Sequence, residues 1–395
     1  MRELVRIERE LLRQLSLLDG TEVGLFEVTA VQLNKGIVDA NFSIRQAFRS
    51  TGFHDYATQV QGKEHKVVAD IALLTPNGLA ETKISLYRPV TKTGDPRLWI
   101  YRLEQLHPAT KPGDIVAIIQ DGEVCAALNL SDHARAGTSV EPVASLLRGN
   151  SPDLHGAASE LLEKLRRVAS AGPVLTSKKG DTAVGYAVET ALGIRANSSR
   201  DPDFKGVEIK SGRSHAGNAN KTLFAKMFDK ARSPVGSYSG LLNRCGYLKD
   251  DGLKYLQCSV SGMAANPQGL YLSVDFESGL LNERWHGGLG DEVVALWELA
   301  VLQDALTKKH SETFWVEAHE VDTPNGRGFA LRKVLHTSTP RLSAFTLFLS
   351  DGTVFVDHTI RQKRDGGTRD HGMLFRTKAA NLSSLFNVVG EYSLA

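Results

Sequence analysis

Hydrophobic periodicity changes once along this chain, and the change falls in a stretch with no pattern of its own. From Glu22 to about Asn129 the apolar residues come in short β-rich runs: GLFEVTAVQL, KVVADIALL, AETKISLY, RLWIYRL and DIVAIIQ. Turn formers such as Pro76-Asn77-Gly78 and Lys111-Pro112-Gly113-Asp114 separate them. Residues 131–153, SDHARAGTSVEPVASLLRGNSPD, carry little periodicity and several turn formers. Beyond them come a helix over His155–Ala169, a long helical candidate at Asp291–Lys308, and closing strands TFWVEA, GFALRKVL, AFTLFLS and TVFVDHT. The pattern predicts a β-rich, barrel-like domain over residues 1–135, opened by an amphipathic helix at Leu4–Leu18 and holding one more helix near Phe42–Phe48. A linker at 136–153 and an α/β domain over 154–395 follow. A length of 395 residues suits two such domains.

Apolar residues make up 42% of the chain and charged residues 23%, enough to build real cores. No run reaches the roughly 18–20 apolar residues of a membrane helix. Charges are spread through the first twenty residues, which no secretory signal tolerates, so the expected location is the cytoplasm. Cys125, Cys245 and Cys258 form neither a CxxC nor an even framework, and the 12 His include no HExxH. Net charge is only +2, yet residues 205–254 hold ten Lys/Arg against four Asp/Glu, and residues 81–102 five against two. Such local excess suits a surface that grips phosphates, though ordinary solvated faces have the same composition.

The chemistry-bearing stretch is GDTAVGYAVETALGIRANSSRDPDFKGVEIKSGR, residues 180–213. In Val207-Glu208-Ile209-Lys210 apolar and charged residues alternate, so on a strand Glu208 and Lys210 share one face. Lys205-Gly206 permits a tight turn that brings Asp203 towards Glu208. Two converging carboxylates repel, and a hard divalent cation relieves them. An ammonium beside them orients the attacking water or offsets charge on a phosphorane-like transition state. Asp plus Glu-x-Lys is thus a minimal kit for metal-assisted phosphodiester hydrolysis. The motif alone is usually a solvated strand face, and the chain holds a second copy, Asp70 with Glu81-x-Lys83. Only the first copy has an upstream helix, opened by Gly180-Asp181-Thr182, that offers a further carboxylate, Glu189.

The order GDTAVGYAVETALGI, PDFKGVEIKSGR and, at 369–376, RDHGMLFR resembles the MvaI/BcnI family of type II restriction endonucleases, relatives of the mismatch-repair nicking enzyme MutH among the PD-(D/E)xK nucleases. The resemblance covers about residues 155–395. It implies an α/β nuclease domain of the MutH type with Asp203, Glu208, Lys210 and Glu189 as the catalytic set. Mg²⁺ would be held by Asp203, Glu208 and the Ile209 carbonyl. It further implies a monomer that cuts double-stranded DNA at a short target such as CCWGG or CCSGG, leaves 5′-phosphates, and pairs with a DNA methyltransferase. Lys254 or Lys249 is the candidate for an extra phosphate-neutralising lysine. Arg213 and His371, the latter beside Asp370, are expected at the DNA.

The run Leu86–Ile100 is distantly similar to the basic arm of the EcoRII effector domain, a DNA-reading pseudobarrel. An effector-like domain ahead of an MvaI-like nuclease is an architecture of the UbaLAI type, which implies a possible second, effector copy of DNA. Lys92 and Arg97 can donate to guanine or phosphate, and Asp95 can accept from cytosine. Phe53-His54-Asp55-Tyr56 supplies a second arm through His54 and Tyr56. Each is as readily a phosphate contact or plain surface. Two other functions fit less well: a MutH-like repair nickase, which needs no extra recognition domain, and a non-catalytic DNA-binding regulator, which needs no intact triad.

Overall fold

The structure, a computed structural model, describes residues 1–394 apart from 19, 76–77, 107–109, 138–139, 141–142, 144–155, 177, 179, 181–182, 195–201, 214–218, 288–289, 325 and 371. The proposed cap at Asp181-Thr182, the turn at Pro76-Asn77, His371 and most of the 136–153 linker therefore lie outside the described residues. Among the described residues the strands form four sheets.

The first sheet holds seven strands, ordered Glu22–Glu27, Ile115–Gln120, Cys125–Asn129, Val67–Thr75, Gly78–Tyr87, Arg97–Ile100 and Ile37–Asp39. Neighbours are antiparallel except Val67–Thr75 beside Cys125–Asn129. The helix Phe42–Ser50 lies so close that a Cβ on Gly24 would stand 2.7 Å from the Ile44 Cα. Every residue of Ile115–Gln120 is buried, which means both faces of that strand are covered. One face packs with Phe26, Phe48, Ile84 and Leu98. The other packs with the first helix, Arg6–Ser16, and with Phe345 and Phe348 from far along the chain. Buried Glu22 joins the two halves: its carboxylate accepts from the N–H groups of Leu342 (2.7 Å) and Ser343 (2.6 Å). It thereby satisfies donors that the helix Leu342–Asp351 leaves open at its N-terminus.

The second half places the site. One sheet runs Phe386–Ser393, Gly326–Pro340, Glu312–Thr323, Glu208–Arg213, with the last two parallel. The helices Gly156–Ser170 and Ala183–Ala191 cover the face that carries Val207, Ile209, Phe314 and Val316. A second sheet starts at the edge strand Asn220–Ala225 and continues through Leu374–Lys378, Val354–Gln362, Lys254–Val260 and Tyr247–Leu248. A meander of Leu270–Asp275, Leu280–Gly287 and Gly290–Glu298 completes the set. Buried His358 and Glu283, 2.7 Å apart, tie it to the second sheet.

Three sequence expectations fail here. Asp291–Glu298 is strand, not helix; only Leu299–Lys309 is helical. Antiparallel pairing with the strand Leu280–Gly287 outweighs the helical spacing of that segment. AFTLFLS is helix, because a run apolar on every side carries no period, and seven residues of the helix Leu342–Asp351 are buried, enclosing it all round. The end of GLFEVTAVQL also turns helical: Thr29 and Gln32 form a capping box that starts the helix Ala30–Lys35.

Candidate active site

The site begins with a two-residue turn. Lys205 (φ 47°) and Gly206 (φ 93°) both take the left-handed conformation, and Phe204 and Val207 exchange backbone hydrogen bonds of 2.9 and 2.8 Å. This folds Asp203 back onto the strand Glu208–Arg213, where its Oδ2 accepts from the Ile209 N–H at 3.0 Å. Strand alternation then does the rest. Val207 and Ile209 enter the core under the helices, while Glu208 and Lys210 face the opposite side.

Glu208 is completely buried. Its oxygens lie 2.5 Å from the Lys210 Nζ and 2.9 Å from the Lys309 Nζ. These pairs are close but off-line, and neither carboxylate oxygen receives a well-directed hydrogen bond. Burial pushes the Glu208 carboxyl above the ordinary glutamate range, against the pull of Lys210 and Lys309. Glu189, on the helix Ala183–Ala191, is also pushed up, by burial first and by Asp203 next, with Lys210 opposing. Three carboxylates thus share a desolvated corner with two ammoniums. The available donors are Asp203, Glu208 and a main-chain carbonyl, all oxygen, and they fit a hard cation that keeps part of its water shell. Among the described residues no group of three or more His, Cys, Asp or Glu is placed to hold a metal ion through side chains alone.

Sequence reasoning missed Lys309. It ends the helix Leu299–Lys309, where the free carbonyls favour a cation, and the strand that follows runs parallel to Glu208–Arg213. Its neighbour Lys308 turns outward to Asp304 instead. Only the tertiary fold brings Lys309 to Glu208. The residues expected in this role are elsewhere: Lys254 donates to the Asn243 carbonyl (3.4 Å) and Lys249 to the Gln257 Oε1 (2.9 Å). Arg213 follows Lys210 on the same strand and bonds to Glu320 (2.8 Å) and the Gly180 carbonyl (3.3 Å).

Beside the first sheet the chain just after the Phe53–Tyr56 arm packs against the Leu86–Ile100 arm. Gly62 donates to the Arg88 carbonyl (2.9 Å), and the Arg88 guanidinium to the Gln59 carbonyl (3.1 Å). Lys92 and Asp95 are exposed, with Asp95 accepting from Thr93 (2.7 Å), and Arg97 pairs with Asp39 (3.3 Å). His54 is half-buried against Gln59 (3.2 Å). Tyr56 does not fit the expectation of a DNA contact. It is 3% exposed and its hydroxyl donates to the Arg97 carbonyl, so it holds one arm to the other. Lys66 covers exposed Trp99 close by. The second motif copy is a surface pair, with Lys83 2.5 Å from Asp70 across two strands.

The fold is a restriction endonuclease fold of the MvaI type, a set of mixed sheets with the carboxylate–lysine corner at one sheet's edge. Residues 162–386 match the model of the MvaI/BcnI restriction endonuclease family, and the chain belongs to that family. Among solved structures it is similar to the restriction endonuclease MvaI–cognate DNA substrate complex, with a TM-score of 0.52 and 22% identity over 60% of this chain and 98% of that one. MvaI in the absence of DNA matches at a TM-score of 0.40 and 21% identity, covering 62% of this chain and 100% of that one. No curated protein sequence matches. Residues 1–161 precede the family match. Among the described residues no helix is long and apolar enough to cross a membrane.

Proposed function

We propose that the protein is a Mg²⁺-dependent, sequence-specific type II DNA endonuclease with a PD-(D/E)xK site, cutting double-stranded DNA at a short CC-N-GG-type target such as CCWGG. Family membership supports the nuclease class. The observation that carries the catalytic assignment is the wholly buried Glu208, held beside Asp203 and between two ammoniums. Asp203, Glu208 and the Ile209 carbonyl are the residues that would hold Mg²⁺, which supplies Lewis acidity and an acidified water when bound. Lys210 keeps its ammonium at the Glu208 carboxylate, where it orients the nucleophile and offsets charge gathering on the scissile phosphate. Lys309 adds a second positive charge at the same corner, and Glu189 steadies the corner from the helix side. Attack in line with the leaving 3′-oxygen leaves a 5′-phosphate.

Residues 1–135 serve in this reading as a DNA-binding domain. Its exposed Lys92 and Asp95, with Arg97, His54, Lys66 and Trp99, form the surface that engages DNA, either the same duplex or a second effector copy. The enzyme acts as a monomer in the cytoplasm, alongside a methyltransferase that protects the host sites. Incubating a sequenced plasmid with Mg²⁺ and either wild type or Asp203→Ala, then sequencing the cut ends, tests the reading. Discrete fragments with 5′-phosphates from the wild type alone are expected. A supercoiled plasmid in both reactions overturns it.

A further inference from the structure

Lys221 lies on the edge strand Asn220–Ala225 of the second sheet, and its side chain reaches the catalytic strand Glu208–Arg213 at Gly212. Glu208, Lys210 and Gly212 follow one another at two-residue steps, so all three point to the same face. The Lys221 ammonium sits over Gly212: a Cβ added there would come within 2.8 Å of the Nζ. Gly212 is therefore a place where the chain leaves room for a cation, ~6.6 Å along the strand from Lys210. That distance is of the order of one nucleotide's step along a DNA strand.

Lys221 is half-buried and, among the described residues, its ammonium has no hydrogen bond or ion pair. The surrounding cleft, about 320 Å³, is lined by Arg213, Lys333, Glu317 and Glu391 beside Trp315. Its carboxylates already have partners. Glu391 lies 2.8 Å and Glu317 3.8 Å from Lys333, and Arg213 is bound to Glu320. Burial lowers the ammonium's pKa, with the charge of Glu317 opposing. A cation held out of water without a partner is costly in the free protein. A ligand that brings a negative charge into the cleft removes that cost.

We infer that Lys221, in the space left by Gly212, binds the DNA phosphate next to the scissile one and so sets the register of the strand on Lys210. Lys221 is a positioning residue; it has no part in the chemistry at Glu208. This rests on reading the chain as a DNA nuclease, and the test separates the two claims. Full-length wild type, Lys221→Met and Lys221→Arg are titrated with a mixed-sequence duplex in Ca²⁺ at several salt concentrations, and their thermal stability is measured alone.

Removing one phosphate contact lowers the slope of log affinity against log salt by about one, and Lys221→Arg restores it. Lys221→Met is expected to melt at or above the wild-type temperature, since it relieves an unpaired charge. Unchanged slopes for Lys221→Met overturn the inference. So does a lower melting temperature that accompanies weaker binding, which marks a structural lysine. A wild type that binds no duplex overturns the nuclease reading itself.

Discussion

The chain contains an Asp followed by a Glu-x-Lys twice, and the two copies differ sharply in burial. Asp70 and Lys83 face each other across two strands of the first sheet, with side chains 82% and 55% exposed. In the second half Glu208 is fully buried and its partners Lys210 and Lys309 are only 33% and 22% exposed. In water an ion pair is screened and its charges do little to a neighbouring group. In a desolvated corner the same charges bend pKa values, create demand for a cation and act strongly on a phosphate. The motif is therefore a statement about residue type, while the function is set by what lies around it: the helix with Glu189, the back-folded Asp203 and the lysine supplied from the end of another helix.

Several substitutions can break that contrast. Lys210→Met is expected to slow plasmid cleavage by ~10²–10³-fold, the scale of losing one preorganised charge at a reacting centre. Lys83→Met, at the equivalent place in the other copy, should leave the cleavage rate within experimental error of wild type. Equal losses in the two variants would show that burial is not what separates them. Lys309→Met should cost ~10–100-fold, as for a group that supports a ligand rather than meeting the reaction. Single-turnover cleavage measures this, and a wild-type rate would remove Lys309 from the site.

Stability sharpens the comparison from another side. Glu22→Ala removes a buried acceptor and leaves two N–H groups of the helix at Leu342 unpaired, so denaturant titration should show a loss of roughly 1–3 kcal/mol. Asp70→Ala, which breaks only the exposed pair, should cost less than ~0.5 kcal/mol, and less still in high salt. The buried His358–Glu283 pair gives a pH signature. Burial resists a charge on His358, but Glu283 more than offsets this and raises its pKa above 6.5. Its stabilisation is full below the ordinary histidine range and is lost as pH climbs through the raised value. The melting temperature should therefore fall as pH rises beyond the ordinary histidine range in wild type and fall less in His358→Gln.

How much of this could be read from the chain depends on how local each feature is. Asp203, Glu208 and Lys210 are brought together by one turn and one strand, so Lys205-Gly206 and the alternation after it were enough to predict their convergence. Glu189 was legible for a similar reason, as a lone acid on an apolar helix. Lys309 was not, because nothing near residues 308–310 encodes a strand pairing with a segment a hundred residues earlier. The join between Glu22 and Leu342 is likewise a contact between distant pieces, and the helix it holds helps cover one face of Ile115–Gln120. AFTLFLS failed for the opposite reason: its composition fits either a buried strand or a buried helix, and only enclosure decides. Tyr56 shows the same ambiguity in a loop, where a large polar aromatic became part of the core.

The most direct measurement is plasmid cleavage in Mg²⁺ by wild type, Glu208→Gln and Glu81→Gln side by side. The account predicts discrete fragments from wild type and from Glu81→Gln, and an intact plasmid with Glu208→Gln. Cleavage by Glu208→Gln at the wild-type rate, or its loss in Glu81→Gln alone, would contradict it.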